Sequence, residues 1–206
     1  DSGEEELVSQ LYSQAELAEF LEATLVRFSH WLQALAELRQ QRDLSLSTLS
    51  FPYGEFRAGQ REIAELVYKC IDQAGQLMME APTGIGKTAA VLYPALKALG
   101  TGKHDRIAFI TAKTVGRHAA EETLRNFRDV GLRVSALSLT SKERICFSPG
   151  KACHGDDCPF ARGYYDRLPA ALEAAMEIPS LQRVDIEGLG REFDVCPYQL
   201  ALDLLP

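Results

Sequence analysis

Leu77-Met78-Met79-Glu80-Ala81-Pro82-Thr83-Gly84-Ile85-Gly86-Lys87-Thr88 decides how this chain is read. Leu77 to Met79 reads as a short buried strand, Ala81 to Thr88 as a phosphate-binding loop of the pattern G-x-x-x-x-G-K-[ST], and Thr88 to Leu99 as a helix. Ala81 stands where the first Gly of the pattern usually sits, and it is small enough to keep the turn tight. The cradle is the whole run Ala81, Pro82, Thr83, Gly84, Ile85, Gly86, Lys87 and Thr88. Gly84 and Gly86 remove side chains where backbone N–H groups must approach phosphate oxygens. Lys87 then reaches the β- and γ-phosphates and Thr88 offers its hydroxyl to Mg²⁺, which makes these two the candidate catalytic residues. Strand, Gly-rich loop and helix N-terminus form the arrangement that binds polyphosphate.

Upstream of the loop, residues 57–71 carry helical spacing with Ile63, Leu66, Val67 and Cys70 on the side expected to be buried. Downstream, residues 106–112 read as a buried strand, 115–128 as a helix and 132–139 as another strand. Strands alternating with helices predict an α/β fold with a parallel sheet and the phosphate loop at a strand's carboxyl end. From Glu4 to Phe51 there is neither Gly nor Pro, and Ala18, Leu21, Leu25, Phe28, Leu32 and Leu35 recur at steps of three and four. That spacing predicts one or two amphipathic helices over the first 50 residues, packing against a neighbouring domain. Residues 45–52 read as a linker.

After Ser141 the periodicity fades, and Gly, Pro and Cys accumulate. Cys146, Cys153, Cys158 and Cys196 follow the spacing C-x₆-C-x₄-C-x₃₇-C. Such a segment has little to bury and needs a staple. Four thiolates can enclose zinc, although the paired C-x₂₋₄-C knuckles that zinc usually prefers are missing. An iron–sulfur cluster also takes four Cys ligands and tolerates wider gaps. Disulfides are the third option, disfavoured in the reducing compartment where an ATP-using protein works. His154 reads as an exposed loop residue, and Cys70 as a small core residue.

The chain of 206 residues has a net charge of −7, unevenly spread. Residues 101–151 carry ten basic and five acidic side chains, whereas residues 1–50 carry three and nine. The basic excess between the phosphate loop and the cysteines is where a polyanion track would run. No apolar run reaches the roughly 18 residues of a membrane span. Nor is there a signal-peptide pattern, so an intracellular location is expected, cytoplasmic in a bacterium or nuclear in a eukaryote.

Three segments in this order resemble the XPD/DinG-type iron–sulfur DNA helicases of helicase superfamily two. Phe51-Pro52-Tyr53 with Arg57 and Gln60 resembles the family's adenine-recognition segment. Met79-Glu80-Ala81-Pro82-Thr83-Gly84-Ile85-Gly86-Lys87-Thr88 is similar to its nucleotide loop. Ile110-Thr111-Ala112-Lys113-Thr114 is similar to the segment that contacts the nucleic-acid backbone, and the four cysteines follow where the family inserts its cluster domain.

The resemblance implies a RecA-like helicase lobe over residues 51–141, a 4Fe–4S insertion over 142–206 held by the four cysteines, and residues 1–50 joining an upstream domain. It implies ATP and Mg²⁺ as ligands, single-stranded DNA or a single-strand/duplex junction as partner, and translocation with 5′-to-3′ polarity. Thr111, Lys113 and Thr114 would contact the nucleic acid, and a Gln amide such as that of Gln60 pairs with the N6/N7 edge of adenine. Phe160, Arg162, Tyr164 and Tyr165 form a mix suited to stacking on bases. The family's acidic Mg²⁺ box and second lobe lie beyond Pro206, so the expectation is a segment of a longer helicase that binds nucleotide weakly alone and needs the remaining lobes. Two other readings stay open. One is a nucleic-acid-binding module with a switch-like phosphate loop and structural zinc; the other is a non-helicase enzyme such as a small-molecule kinase.

Overall fold

The computed structural model describes residues 9–205. Residues 1–8 of the expected N-terminal segment, and Pro206 of the expected insertion, lie outside the described residues. The chain divides into two compact units between Gln40 and Gln41. Helix α1 (Gln14–Thr48) begins on a capping box. The Glu16 N–H donates to Ser13 Oγ at 3.2 Å, while the Ser13 N–H donates to the Glu16 carboxylate at 2.7 Å. The Ser13 bonds hold the Glu16 carboxyl below its ordinary pKa. In the first unit the apolar stripe of α1 is open to solvent, with Leu21, Leu25, Phe28 and Leu32 all exposed.

The second unit packs around two cores and a smaller buried cluster between α2 and α3. In the first, Leu46 and Leu49 meet Leu92, Leu96 and Leu99 of α3 (Lys87–Leu99) and Phe127 of α4 (Thr114–Asp129). Helix α2 (Gln60–Asp72) lays Ile63 and Val67 on Ala90 of α3. Leu66, expected inside, is exposed. It lies roughly a third of a turn from the face made by Gln60, Ile63, Ala64 and Val67, and a single neighbouring helix buries only that face.

The second core is built by α5 (Lys142–Ile145), α6 (Tyr164–Met176), α7 (Arg183–Glu192) and α8 (Pro197–Asp203). Ile145, Ala171, Ala175, Ile186, Leu189, Val195 and Leu200 are buried together. The segment read as irregular is therefore largely helical after Gly163. Pro169 inside α6 and the short lengths of α7 and α8 obscure the period, but the ends are marked: Gly163 is the left-handed N-cap of α6, and Pro197 opens α8.

The sheet differs most from expectation. Strand β1 (Ala136–Leu137) pairs in parallel with β2 (Ser180–Leu181), Ala136 opposite Ser180, and these are the two strands among the described residues. The strand expected over 132–139 shrinks to β1, and those expected over 77–79 and 106–112 join no ladder. Met78 is 100% exposed and Ile110 is 92% exposed. Apolar character shows that a segment can be buried; a ladder also needs a second extended segment for each N–H and C=O. The fold is thus mixed and mainly helical, with a small parallel sheet. Arg128 ties the sheet to the first core, donating to Val134 O at 2.9 Å and Pro179 O at 2.8 Å. Burial pushes its pKa down.

Candidate functional site

The loop Ala81 to Gly86 leads into α3 and is anchored at both ends. Ala81 and Ile85 pack against the core of Ile63, Val67 and Ala90. Gly84 and Gly86 have φ of 86° and 83°, left-handed values that cost an L side chain about 1–2 kcal/mol. Gly86 is also needed for space, since a Cβ there would lie 2.6 Å from Gln60 Nε2. Lys87 is the first residue of α3, and its ammonium donates to Ala81 O at 3.1 Å and Pro82 O at 2.8 Å. Its charge therefore sits over the mouth of the loop, at the positive end of a helix of 13 residues. Thr88 is half-buried on the first turn, while Pro82, Thr83 and Gly84 are exposed.

Arg57 and Gln60 reach this loop directly. Arg57 Nη1 donates to Gly84 O at 2.8 Å, and Gln60 Nε2 donates to Gly86 O at 3.2 Å. The Arg57 N–H donates to Gln60 Oε1 at 3.0 Å, so both ends of the buried Gln60 amide are engaged. As it stands, Gln60 is a strut between α2 and the loop; presenting its amide to an adenine edge means exchanging these bonds. Phe51 stacks on Phe56 with ring centroids 4.2 Å apart, inside an aromatic cluster with Tyr53 and Tyr93. Tyr53 is exposed on that cluster, and its hydroxyl accepts from Asn126 Nδ2 at 2.9 Å.

Thr111, Lys113 and Thr114 are all exposed at the start of α4. Lys113 is the N-cap, and the Gly116 N–H donates to its carbonyl at 3.0 Å. The Thr111 hydroxyl closes the turn with Lys113 N and O, each at 3.4 Å. A Cβ at Gly116 would collide with that hydroxyl. The arrangement offers a cation, two hydroxyls and a helix N-terminus to an anion.

All five cysteines are free thiols; Cys158 is buried, Cys146 and Cys196 are half-buried and Cys153 is exposed. Their sequence neighbours converge. Phe147 packs edge-on against Phe160 with centroids 5.0 Å apart, and Arg191 lies over Phe147 at 4.7 Å. Gly190 is crowded by Phe147 and Pro197, leaving no room for a Cβ. Lys142, one helical turn before Cys146, stands near Cys153. That thiol and the charges of Cys153, Cys146 and Cys196 raise the lysine's pKa. Sequence reading passed over Lys142, although a cation one turn from a cysteine was visible.

Even so, no group of three or more His, Cys, Asp or Glu side chains among the described residues is close enough to hold a metal ion. Cys146, Cys153 and Cys196 lie near one lysine without closing on a single centre. His154 is turned away to Asp157, 3.0 Å from Nε2. Tyr164, grouped above with base-stacking residues, is a core residue whose hydroxyl donates to Asp203 at 2.7 Å. Phe160 is half-buried against Phe147, whereas Tyr165 is exposed.

Residues 58–146 match the DEAD/DEAH box helicase family. The matches support a helicase family. The chain is 46% identical over 100 residues to the probable ATP-dependent helicase MJ0942 of Methanocaldococcus jannaschii, covering 48% of this chain and 15% of the relative. It is 23% identical over 192 residues to the XPD helicase subunit of the general transcription and DNA repair factor IIH of Arabidopsis thaliana, covering 77% of this chain and 25% of the relative. The chain thus spans a quarter or less of the length of these curated relatives. A mainly helical fold with a small parallel sheet is compatible with part of a RecA-like lobe. Among the described residues, no helix is long and apolar enough to cross a membrane.

Proposed function

We propose that this chain is the nucleotide-binding part of an ATP-dependent DNA helicase of the XPD/DinG type, acting on single-stranded DNA or a single-strand/duplex junction with 5′-to-3′ polarity. One observation carries the reading: the loop Ala81 to Thr88 caps α3 and is tied by Arg57 and Gln60 to the segment expected to meet the base. Phosphate oxygens entering the loop compete with Ala81 O and Pro82 O for the Lys87 ammonium. Lys87 would then turn from internal carbonyls to the β- and γ-phosphates, and Thr88 would be the residue to hold a Mg²⁺ ion through its hydroxyl. The bonds of Arg57 to Gly84 O and Gln60 to Gly86 O carry that change to α2. Thr111, Lys113 and Thr114 hold the nucleic-acid backbone in this reading, the aromatic cluster of Phe51 and Tyr53 packs on the base, and the remaining lobes complete catalysis.

The four cysteines fit a 4Fe–4S cluster by donor chemistry. They are free, their neighbours pack together, and Lys142 offers a positive charge beside thiolates. In a cluster each thiolate binds its own iron, so the donors stand further apart than four that share one zinc. That wider spacing is compatible with Cys146, Cys153 and Cys196 near Lys142 without a single-ion centre. When bound, such a group staples the loops of Cys146, Cys153, Cys158 and Cys196 to one another.

The test is binding of a fluorescent ATP analogue with Mg²⁺ to the wild-type chain and to Lys87→Ala. Affinity is expected to fall about 10-fold or more, the worth of charge-assisted bonds to phosphate. Equal affinities would remove the nucleotide site. Iron, acid-labile sulfide and zinc are measured on the same anaerobic preparation, and zinc without sulfide would replace the cluster by a structural metal.

A further inference from the structure

Arg167, on the first turn of α6, connects two backbone segments that each carry a cysteine. Its Nη2 donates to Arg162 O at 2.6 Å and to Asp194 O at 2.9 Å, with Pro159 O at 3.5 Å. Pro159 directly follows Cys158, and Asp194 is two residues before Cys196. Beyond Asp194, the Val195 N–H donates to Gly190 O at 3.0 Å, so the chain from Asp194 into α8 has little slack. On the other side, Arg162 Nε donates to Gly155 O at 2.9 Å, which extends the connection back through the loop between Cys153 and Cys158.

Three further features stand around this connection. Arg167 Nε is buried and has no acceptor among the described residues, so the guanidinium is turned to serve the carbonyls rather than to satisfy itself. Asp194 has φ of 52° because it ends α7, with the Val195 N–H closing back on Gly190 O, and this fixed turn presents the carbonyl that Arg167 takes. Gly163 has φ of 61°, and a Cβ there would lie 3.2 Å from Arg167 Nη1, so the α6 cap lies directly beside the guanidinium.

We propose that Arg167 is a positioning residue that sets the gap between the Cys158 loop and the Cys196 segment, and so the retention of a thiolate-bound metal group. The inference rests on the reading of the cysteines above. Backbone carbonyls are the acceptors, so the brace depends on the guanidinium fork and not on a paired carboxylate.

The test uses the 206-residue chain as wild type, Arg167→Met and Arg167→Lys, purified anaerobically. Metal content and visible absorption are read per chain, with the melting temperature. Alkylation rates of Cys158, Cys196 and, as a control in α2, Cys70 are measured by mass spectrometry on metal-free protein. Arg167→Met is expected to lower metal retention about 10-fold or more, the usual consequence of losing a group that orients ligands. Cys158 and Cys196 should be alkylated faster while Cys70 is unchanged, and Arg167→Lys should recover part of both effects.

Wild-type retention and alkylation in Arg167→Met would overturn the proposal. So would an equal rise at Cys70 that Arg167→Lys fails to reverse, because that marks general loosening. If the wild-type chain holds neither iron nor zinc, the reading of the cysteines fails, while the alkylation rates still decide for or against the brace. Should Arg167→Met not fold, Arg167→Lys decides alone: selective acceleration at Cys158 and Cys196 supports the brace, and unchanged rates sink it.

Discussion

Around Gly84 and Gly86 the backbone is held by Lys87, Arg57 and Gln60, side chains whose partners are the loop's own carbonyls. Around the cysteines it is held from below by a core of its own, Ile145, Ile186, Leu189, Val195 and Leu200, and crossed by Arg167. On the function proposed above, the first arrangement exchanges partners when phosphate arrives, whereas the second keeps its partners and fixes where the thiols stand. That proposal gives one unit of the chain a surface that changes its bonds and a surface that preserves its spacing.

The largest effect should come from breaking the two cores separately. Phe127→Ala is expected to cost about 3–5 kcal/mol and Leu200→Ala about 2–5 kcal/mol, since both side chains are fully buried. If the regions unfold as one, both variants lower a single transition in denaturant monitored by circular dichroism. Two resolved transitions, with each variant shifting its own, would separate the regions.

Tyr164→Phe sharpens the contrast within the cysteine region. It removes the bond to Asp203 and is expected to cost about 2 kcal/mol. Burial, then the Asp203 bond and charge, raise the Tyr164 pKa above its ordinary value. The folded chain therefore holds this proton more tightly than the unfolded chain does. The stability it contributes is whole below about pH 10, the pKa of an unfolded phenol, and is lost as pH rises towards the folded value. Denaturant midpoints between pH 8 and pH 11 should fall more steeply for wild type than for Tyr164→Phe.

On the phosphate-loop side, Gly86→Ala is expected to cost roughly 1–2 kcal/mol for the left-handed backbone. It should also weaken nucleotide binding, because the new Cβ displaces Gln60. Unchanged affinity would show that the strut from Gln60 does not shape the loop. The smallest effect expected is at the start of α7, where Gln182 and Asp185 form a capping box. Asp185→Ala should cost about 1 kcal/mol in thermal stability and leave nucleotide affinity unchanged.

Much of the phosphate-loop region was legible because its information is local. Gly at two left-handed positions, Lys at a helix start and apolar residues every three or four positions identified the loop and α2, α3 and α4. The apolar runs at 77–79 and 106–112 misled, since Met78 and Ile110 stand exposed without a ladder. Helices α6, α7 and α8 went unseen because Gly163, Pro169, Gly188, Gly190 and Pro197 look like breakers, whereas Gly163 is the N-cap of α6 and Pro197 the first residue of α8.

The sequence by itself determined the features that depend on neighbours along the chain: the phosphate loop, the helices beside it, the basic stretch and the presence of four cysteines in one segment. Only the tertiary structure decided which apolar runs find a ladder, that Gln60 braces Gly86, that Tyr164 is core, and that Lys142 and Arg167 stand at the cysteines. The physical reason is the same in each case. Backbone carbonyls and partner strands are chemically alike at every position, so only their arrangement in space tells which of them a side chain will meet.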